Sequence, residues 1–175
     1  MLAELDIAIF LQSDGDLAAT AQRVFKALGS EPQSGHSEEW GDHYAAAGLG
    51  FRAVLFRNEG EMLDPEFERY RYSLEIMSLF SDSELDPVDL EMPLSDYYAR
   101  LLAFTLDVET ATAVPVEIDE EREVFEVRAF KRNPNYRLDQ GPTVPKVFVV
   151  ETRELVEAFD DTLDEEPASE EYEDE

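Results

Sequence analysis

Apolar residues recur along this chain with two periods, one typical of strands and one of helices. Residues 5–12 are a short apolar run rich in β-formers. In residues 69–76 every second side chain is apolar, and the alternation puts on one face Tyr70, Tyr72, Leu74 and Ile76. These runs predict two strands.

Helical spacing appears in three places. Residues 17–28 carry one apolar stripe, with Asp14 or Asp16 as a cap before it and Gly29 as a stop after it. A second helix is predicted to begin near Pro93. Its apolar face comprises Tyr97, Leu101, Phe104 and Val108. A third is predicted near the end of residues 1–159, in TRELVEAF.

Further strands complete the pattern. Residues 43–47 and 51–57 flank Gly48-Leu49-Gly50 and predict a hairpin, residues 113–132 predict another, and residues 146–150 a last strand. Residues 30–41, 58–66 and 81–93 read as loops. The predicted order is β-α-β-β-β-α-β-β-β-α. Consecutive strands without helical crossovers favour an α+β fold, a mainly antiparallel sheet with two or three helices packed on one face.

Length and composition predict one domain over residues 1–159, because 43% hydrophobic residues are enough for a core. Residues 160–175 hold ten acids, no base and few apolar side chains, so we expect an acidic disordered tail.

The net charge of −28 is the dominant feature, and it is not confined to that tail. Residues 1–159 contain 32 acids and 14 bases. The negative electrostatic field of this surface repels nucleic acid and anionic membrane surfaces and attracts a basic protein partner. The bases are eleven Arg and three Lys, a bias that also suits a salt-adapted organism. Charge alone therefore leaves open whether the acidity serves function or solvation.

The sequence lacks the features of membrane-spanning, secreted and cysteine-dependent proteins. No run approaches the length of a membrane span, and the N-terminal residues carry acids where a signal peptide carries Lys or Arg, so we expect a cytoplasmic protein. Without Cys there is no disulfide, no thiolate nucleophile and no Cys-ligated metal. The sequence does not specify an oligomeric state.

Motifs for metals, cofactors and catalysis fail on inspection. His36 and His43 flank acids, but glycines interrupt any helix that would align them. Asp82, Glu84 and Asp86 resemble the start of a calcium loop, yet proline stands at its sixth and twelfth positions. There is no G-x-S-x-G and no P-loop. We therefore predict a non-enzymatic protein with no metal and no cofactor.

One basic neighbourhood interrupts the acidic surface, and it comprises Arg122, Arg128, Lys131, Arg132 and Arg137. Acids alternate with these residues, so cross-strand ion pairs on a hairpin are predicted there.

Candidate partner-binding residues are acids in exposed segments together with neighbouring aromatic residues, because aromatic side chains dominate binding hot spots. One set lies in the predicted loop of residues 81–93: Asp82, Glu84, Asp86, Asp89 and Glu91. A second set surrounds the single tryptophan: Glu38, Glu39, Trp40 and Asp42. Tyr97 and Tyr98 are further candidate anchors.

The stretch GLGFRAVLFRNEGEMLDPEFERYRYSLEI, with LDIAIF and the helix after it, resembles small uncharacterised bacterial immunity proteins that inhibit secreted toxins. The resemblance covers roughly residues 5–77 and rests on alternation and turns. It implies an inhibitor that covers the cationic site of a basic partner such as a nuclease, and it implies no functional residues.

Two alternatives remain open. A DNA mimic, such as an anti-restriction or anti-defence protein, would array its carboxylates in rows like phosphates. A salt-adapted domain, with or without enzymatic activity, would use the same acids for solvation and lose stability at low salt.

Overall fold

The computed structural model describes residues 3–48, 51–58, 67–80, 87–118, 122–139 and 144–158. In chain order its elements are β1 (Ala3–Gln12), α1 (Leu17–Ala27), β2 (Gln33–Ser37), β3 (Gly41–Gly48), β4 (Phe51–Arg57), β5 (Tyr72–Phe80), α2 (Pro87–Leu106), β6 (Glu109–Ile118), β7 (Arg122–Arg132) and β8 (Val147–Ala158). The predicted acidic tail, residues 160–175, lies outside the described residues. Neither described helix is long and apolar enough to cross a membrane.

All eight strands form one antiparallel sheet in the order β2-β3-β4-β5-β1-β6-β7-β8, which confirms the predicted α+β class. The helices α1 and α2 connect β1 to β2 and β5 to β6, pairs of strands that run in the same direction. The two crossovers start from oppositely directed strands and move toward opposite edges. If both crossovers have the same handedness, reversing the strand direction and the direction of movement together leaves the two helices on the same face of the sheet.

The core lies between that face and the helices. Four alternate residues of β1 belong to this core, and Leu5, the least buried of the four, is only 3% exposed. Leu102 of α2 and Phe25 of α1 pack on them, fully buried. A central strand with large apolar side chains on alternate positions and two amphipathic helices thus accounts for the layered architecture.

The opposite face of the sheet, which we call the open face, carries a smaller cluster. Phe67 and Tyr70 precede β5 and fold back over Phe10 of β1, with Phe10 and Phe67 stacked at a centroid distance of 4.1 Å. Tyr70 therefore lies opposite the face that the alternation predicted for it, because the strand begins only at Tyr72 and its period does not extend back to Tyr70.

The predicted boundaries are wrong in two loops. Residues 33–37, predicted as loop, form the short edge strand β2, and its polar side chains carry no apolar alternation that would reveal it. The helix α2 begins at Pro87 and includes Pro93, which was predicted as its start. Pro87 stands at the first helical position, where the missing N–H costs no hydrogen bond.

The third predicted helix is also wrong, because TRELVEAF continues the strand β8 as far as Ala158. Leu155 and Val156 fit a helical stripe, but the segment also alternates. β8 pairs with β7 from Arg132 opposite Val147 to Arg122 opposite Ala158, with one bulge at Val150. Cross-strand hydrogen bonds and packing outweigh the local helical pattern.

Candidate functional site

Trp40 is held over the open face by the turn between β2 and β3. Its backbone N–H donates to Ser37 Oγ at 3.1 Å, and Gly41 takes a left-handed conformation, with φ of +61°, that lets the chain reverse into β3. The indole Nε1 donates to Glu75 Oε2 on β5 at 3.0 Å. The turn therefore fixes both the position and the orientation of the only tryptophan.

Aromatic and cationic side chains surround this indole. His43 meets it edge to face at a centroid distance of 5.5 Å, and Phe56 lies tilted at 6.5 Å. The Arg52 guanidinium stands 5.3 Å from the ring centroid, within cation–π range. Trp40 is half-buried by these contacts, so it forms a rigid aromatic platform.

A hollow of about 1350 Å³ opens beside Trp40. Ala8, Phe10 and Phe56 contribute apolar lining. The acids that line it are Asp16, Glu38, Glu39, Asp42 and Glu75. Arg57 and His43 are its lining bases. Five carboxylates around an apolar surface produce a negative potential that favours a cationic group with an apolar stem.

Glu75 is half-buried and lines the hollow together with the other acids. Burial raises the pKa of its carboxyl, the charges of Asp6 and Glu39 raise it further, and the Trp40 N–H partly opposes the shift. The raised pKa means that the ionised carboxylate is less stable here than in water. A bound cation would stabilise that ionised form.

The two histidines do not share a site. His36 Nδ1 lies 2.8 Å from Asp42 Oδ1 on the exposed outer strand pair, whereas the buried His43 donates from Nδ1 to the Gly41 carbonyl at 3.0 Å. In the β2–β3 register His43 faces Gly35, where an added Cβ would lie 2.6 Å from His43 Nε2. His43 therefore fills space against a glycine, and His36 points to the other face. Nowhere in the described ranges do three His, Cys, Asp or Glu residues group as metal ligands would.

The structure separates the predicted partner-binding residues. Glu38, Glu39, Trp40 and Asp42 all line the hollow. Tyr97, 59% exposed, and the half-buried Tyr98 lie on α2, which covers the other face of the sheet. Glu91 is also on α2, and burial followed by the charge of Asp6 raises its pKa. Asp89 belongs to the same helix, while Asp82, Glu84 and Asp86 lie outside the described residues.

A second polar cluster, missed by the sequence analysis, lies at the other end of the open face. We call it the Glu109 network. Glu109 accepts from Lys131 Nζ at 2.7 Å and from the Tyr70 hydroxyl at 2.8 Å. Arg69 donates to that hydroxyl at 2.9 Å and to Glu151 at 2.8 Å. The hydrogen bonds and the cations lower the pKa of Glu109 against the opposing effect of burial.

The Glu109 network also explains part of the basic neighbourhood. Lys131 pairs with Glu109 on the adjacent strand, and Arg122 donates to Glu117 at 3.2 Å. Arg128 pairs with Asp96 of α2 at 2.7 Å and with Glu126. Cross-strand pairs therefore form at Lys131 and Arg122, as predicted, although Glu109 lies outside the predicted hairpin. Arg128 instead pairs with a helix residue and with an acid of its own strand.

Comparison of this chain with protein-family models, with curated proteins and with solved structures found no match in any of the three. The resemblance to immunity proteins stays a prediction, and function must be inferred from the geometry of the chain itself.

Proposed function

We propose that this chain is a non-enzymatic, acidic protein-binding module that receives a basic side chain of its partner in the hollow beside Trp40. The observation that carries the proposal is the position of Glu75, a carboxylate with a raised pKa, bonded to the only tryptophan inside a hollow with four other acids. An immunity-type inhibitor that covers the cationic site of a basic toxin is the specific form we favour.

Shape and charge both support a cationic guest. The indole offers the π face of an aromatic ring, and the carboxylate beside it accepts hydrogen bonds from a guanidinium or an ammonium. Arginine fits best, because its planar donors match a carboxylate and its apolar stem suits Phe10 and Phe56. Arg52 already shows that the ring of Trp40 accepts a guanidinium.

The surrounding charge supports fast capture. Complementary fields steer a basic partner toward an acidic surface and make association sensitive to salt. Glu38, Glu39 and Asp42 line the same hollow and add to the negative potential that attracts the partner.

Tryptophan fluorescence tests this proposal directly, because the single tryptophan lies at the site. We would titrate the full chain with a capped arginine peptide, and with the matched citrulline peptide as a neutral control, at constant ionic strength. The arginine peptide is expected to change the fluorescence with a dissociation constant on the order of 1 mM, as befits one anchoring residue.

Two variants separate the hollow from the general charge. Glu75→Gln and Glu117→Gln each remove one negative charge, but Glu117 lies on β6 in an exposed ion pair, away from the hollow. Only Glu75→Gln should weaken peptide binding, by about tenfold. Equal binding of the arginine and citrulline peptides, or equal weakening in both variants, would contradict the proposal.

A further inference from the structure

The strand β8 forms one end of the sheet and presents a long edge. Eleven of its twelve residues pair with β7 on one side, with Val150 left out at a bulge, and no other strand of the described residues pairs with its second side. Such an edge offers a row of backbone N–H and C=O groups to another strand.

The two ends of the sheet are built differently. At the far end β2 has five residues, QSGHS, all polar or glycine, and this is how proteins protect an edge from pairing. β8 exposes four apolar side chains to between 43% and 53%, and these are Phe148, Val149, Val150 and Val156. Among the described strands β8 is therefore the long edge with an apolar stretch, although it also carries charged residues and a bulge at Val150.

We propose that β8 pairs antiparallel with β8 of a second copy of this chain, centred on Thr152. In a symmetric antiparallel pair, the central residue of one copy lies opposite the same residue of the other copy. The residue before it then lies opposite the residue after it in the other copy. Centring on Thr152 puts Glu151 opposite Arg153 of the second copy, twice over. Centring on Glu151 or on Arg153 instead places like charges face to face, which is unfavourable.

The same register aligns the exposed apolar residues. Phe148 and Val149 of one copy lie opposite Val156 and Leu155 of the other, at both ends of the pair. Within one chain Arg153 Nε already donates to Glu151 Oε1 at 2.8 Å. Two copies would therefore close a ring of four alternating charges, flanked by apolar contacts. This charge complementarity of the strand with itself favours a second copy over a uniformly basic partner strand.

Salt distinguishes this contact from the proposed partner binding. Each copy carries a charge of −28, so the two repel over long range, and added salt screens that repulsion. Dimerisation is therefore expected to strengthen as salt rises, whereas capture of a basic side chain weakens. Failure of one proposal leaves the other standing.

A charge exchange tests the proposed register. Arg153→Glu places two carboxylates face to face, because the new side chain lies opposite Glu151 of the second copy. Glu151→Arg places two guanidinium groups face to face, because its new side chain lies opposite Arg153 of the second copy. Each variant alone should dissociate at least about tenfold more readily than the original chain. An equimolar mixture of the two restores opposite charges at both positions and should recover the dimer. Lys26→Glu on α1 makes the same charge change as Arg153→Glu and should leave dimerisation unchanged.

Sedimentation equilibrium of the full chain in high salt, up to about 100 μM, gives the masses, since specific dimers of moderate affinity associate in this range. We expect twice the mass of one chain for the original protein, for Lys26→Glu and for the mixture. A single-chain mass for the original protein at every concentration and salt would overturn the proposal. So would a dimer that Arg153→Glu leaves intact, or a mixture that stays monomeric while its two variants keep the native circular dichroism spectrum.

Discussion

Replacing Glu109 with glutamine tests whether the Glu109 network stabilises the fold. The carboxylate is 9% exposed and has three donors around it, with Lys131 on one oxygen and Tyr70 and Arg69 on the other. Glutamine has nearly the same shape. The side-chain oxygen of glutamine still accepts from the donors on one side. Its amide N–H groups face the donor on the other side and cannot accept from it.

The expected loss is one charge-assisted hydrogen bond in a mostly buried site. Such bonds contribute about 1.5–3 kcal/mol each. Lys131 is 55% exposed and regains water when its partner is lost, so the lower part of that range applies. We expect Glu109→Gln to lower the free energy of unfolding by about 2 kcal/mol at neutral pH.

Urea denaturation at neutral pH and constant high salt measures this loss. Glu117→Gln is the matched control, because it removes the same charge from the same strand. Glu117 and its partner Arg122 are both about half exposed, and such pairs contribute about 0.5 kcal/mol or less. Equal losses of unfolding free energy in the two variants would refute the reasoning, because burial and multiple donors would then not strengthen the interactions of Glu109.

The pH dependence gives an independent check with a definite sign. The pKa of Glu109 is lowered in the folded protein, so its stabilising contribution is present above the unfolded pKa and is lost as pH falls through the folded value. The stability difference between the original chain and Glu109→Gln should therefore shrink on acidification. A difference that grows toward low pH would contradict the assigned shift.

Three other predictions concern the cap, the core and the hollow. Asp16→Ala removes the side-chain acceptor 2.7 Å from the Ala19 N–H and should cost about 1 kcal/mol in urea denaturation; no loss would mean that the cap is not formed in solution. Leu102→Ala should cost about 2–5 kcal/mol in the same assay, since Leu102 is fully buried; a loss below about 1 kcal/mol would contradict the core assignment. Because the folded pKa of Glu75 is raised, its contribution favours folding below the unfolded pKa and is lost as pH rises. Glu75→Gln should therefore stabilise the chain at neutral pH and progressively less toward low pH, and destabilisation at neutral pH would show that the shift has the opposite sign.

The sequence predicted the parts of the fold that local pattern determines. A short apolar run located β1, a β-like run after a glycine turn located β4, and the stripe from Leu17 located α1, with Asp16 as one of two candidate caps. The antiparallel class followed from consecutive strands without long connections. These features depend on neighbouring residues, so one sequence is enough to reveal them.

Features that depend on distant contacts were missed. β2 has no apolar pattern, and its pairing with β3 becomes visible only in the folded sheet. The end of β8 satisfies both a helical and a strand period, and the long ladder with β7 decides between them. Sequence patterns record side-chain periods, whereas pairing partners are a property of the whole chain.

The candidate site was predicted in part. The acids around Trp40 and their aromatic neighbour were identified from charge and residue type, and the structure shows that they line one hollow. Glu75 was missed because it is one acid in an alternating strand. Only the bond from Trp40, 35 residues away, distinguishes it. Tyr70 was placed on the wrong face because β5 begins only at Tyr72, so the alternation of the strand does not extend back to it.

The measurement that tests the central claim most directly is capture of partners from the native lysate by the immobilised full chain, with Glu75→Gln and Glu117→Gln as parallel baits. The account predicts one basic protein that the original chain and Glu117→Gln retain at physiological salt, that Glu75→Gln loses, and that elutes as salt is raised. Capture that is the same for all three baits, or no basic protein on any of them at low salt, would contradict a binding function for the hollow beside Trp40.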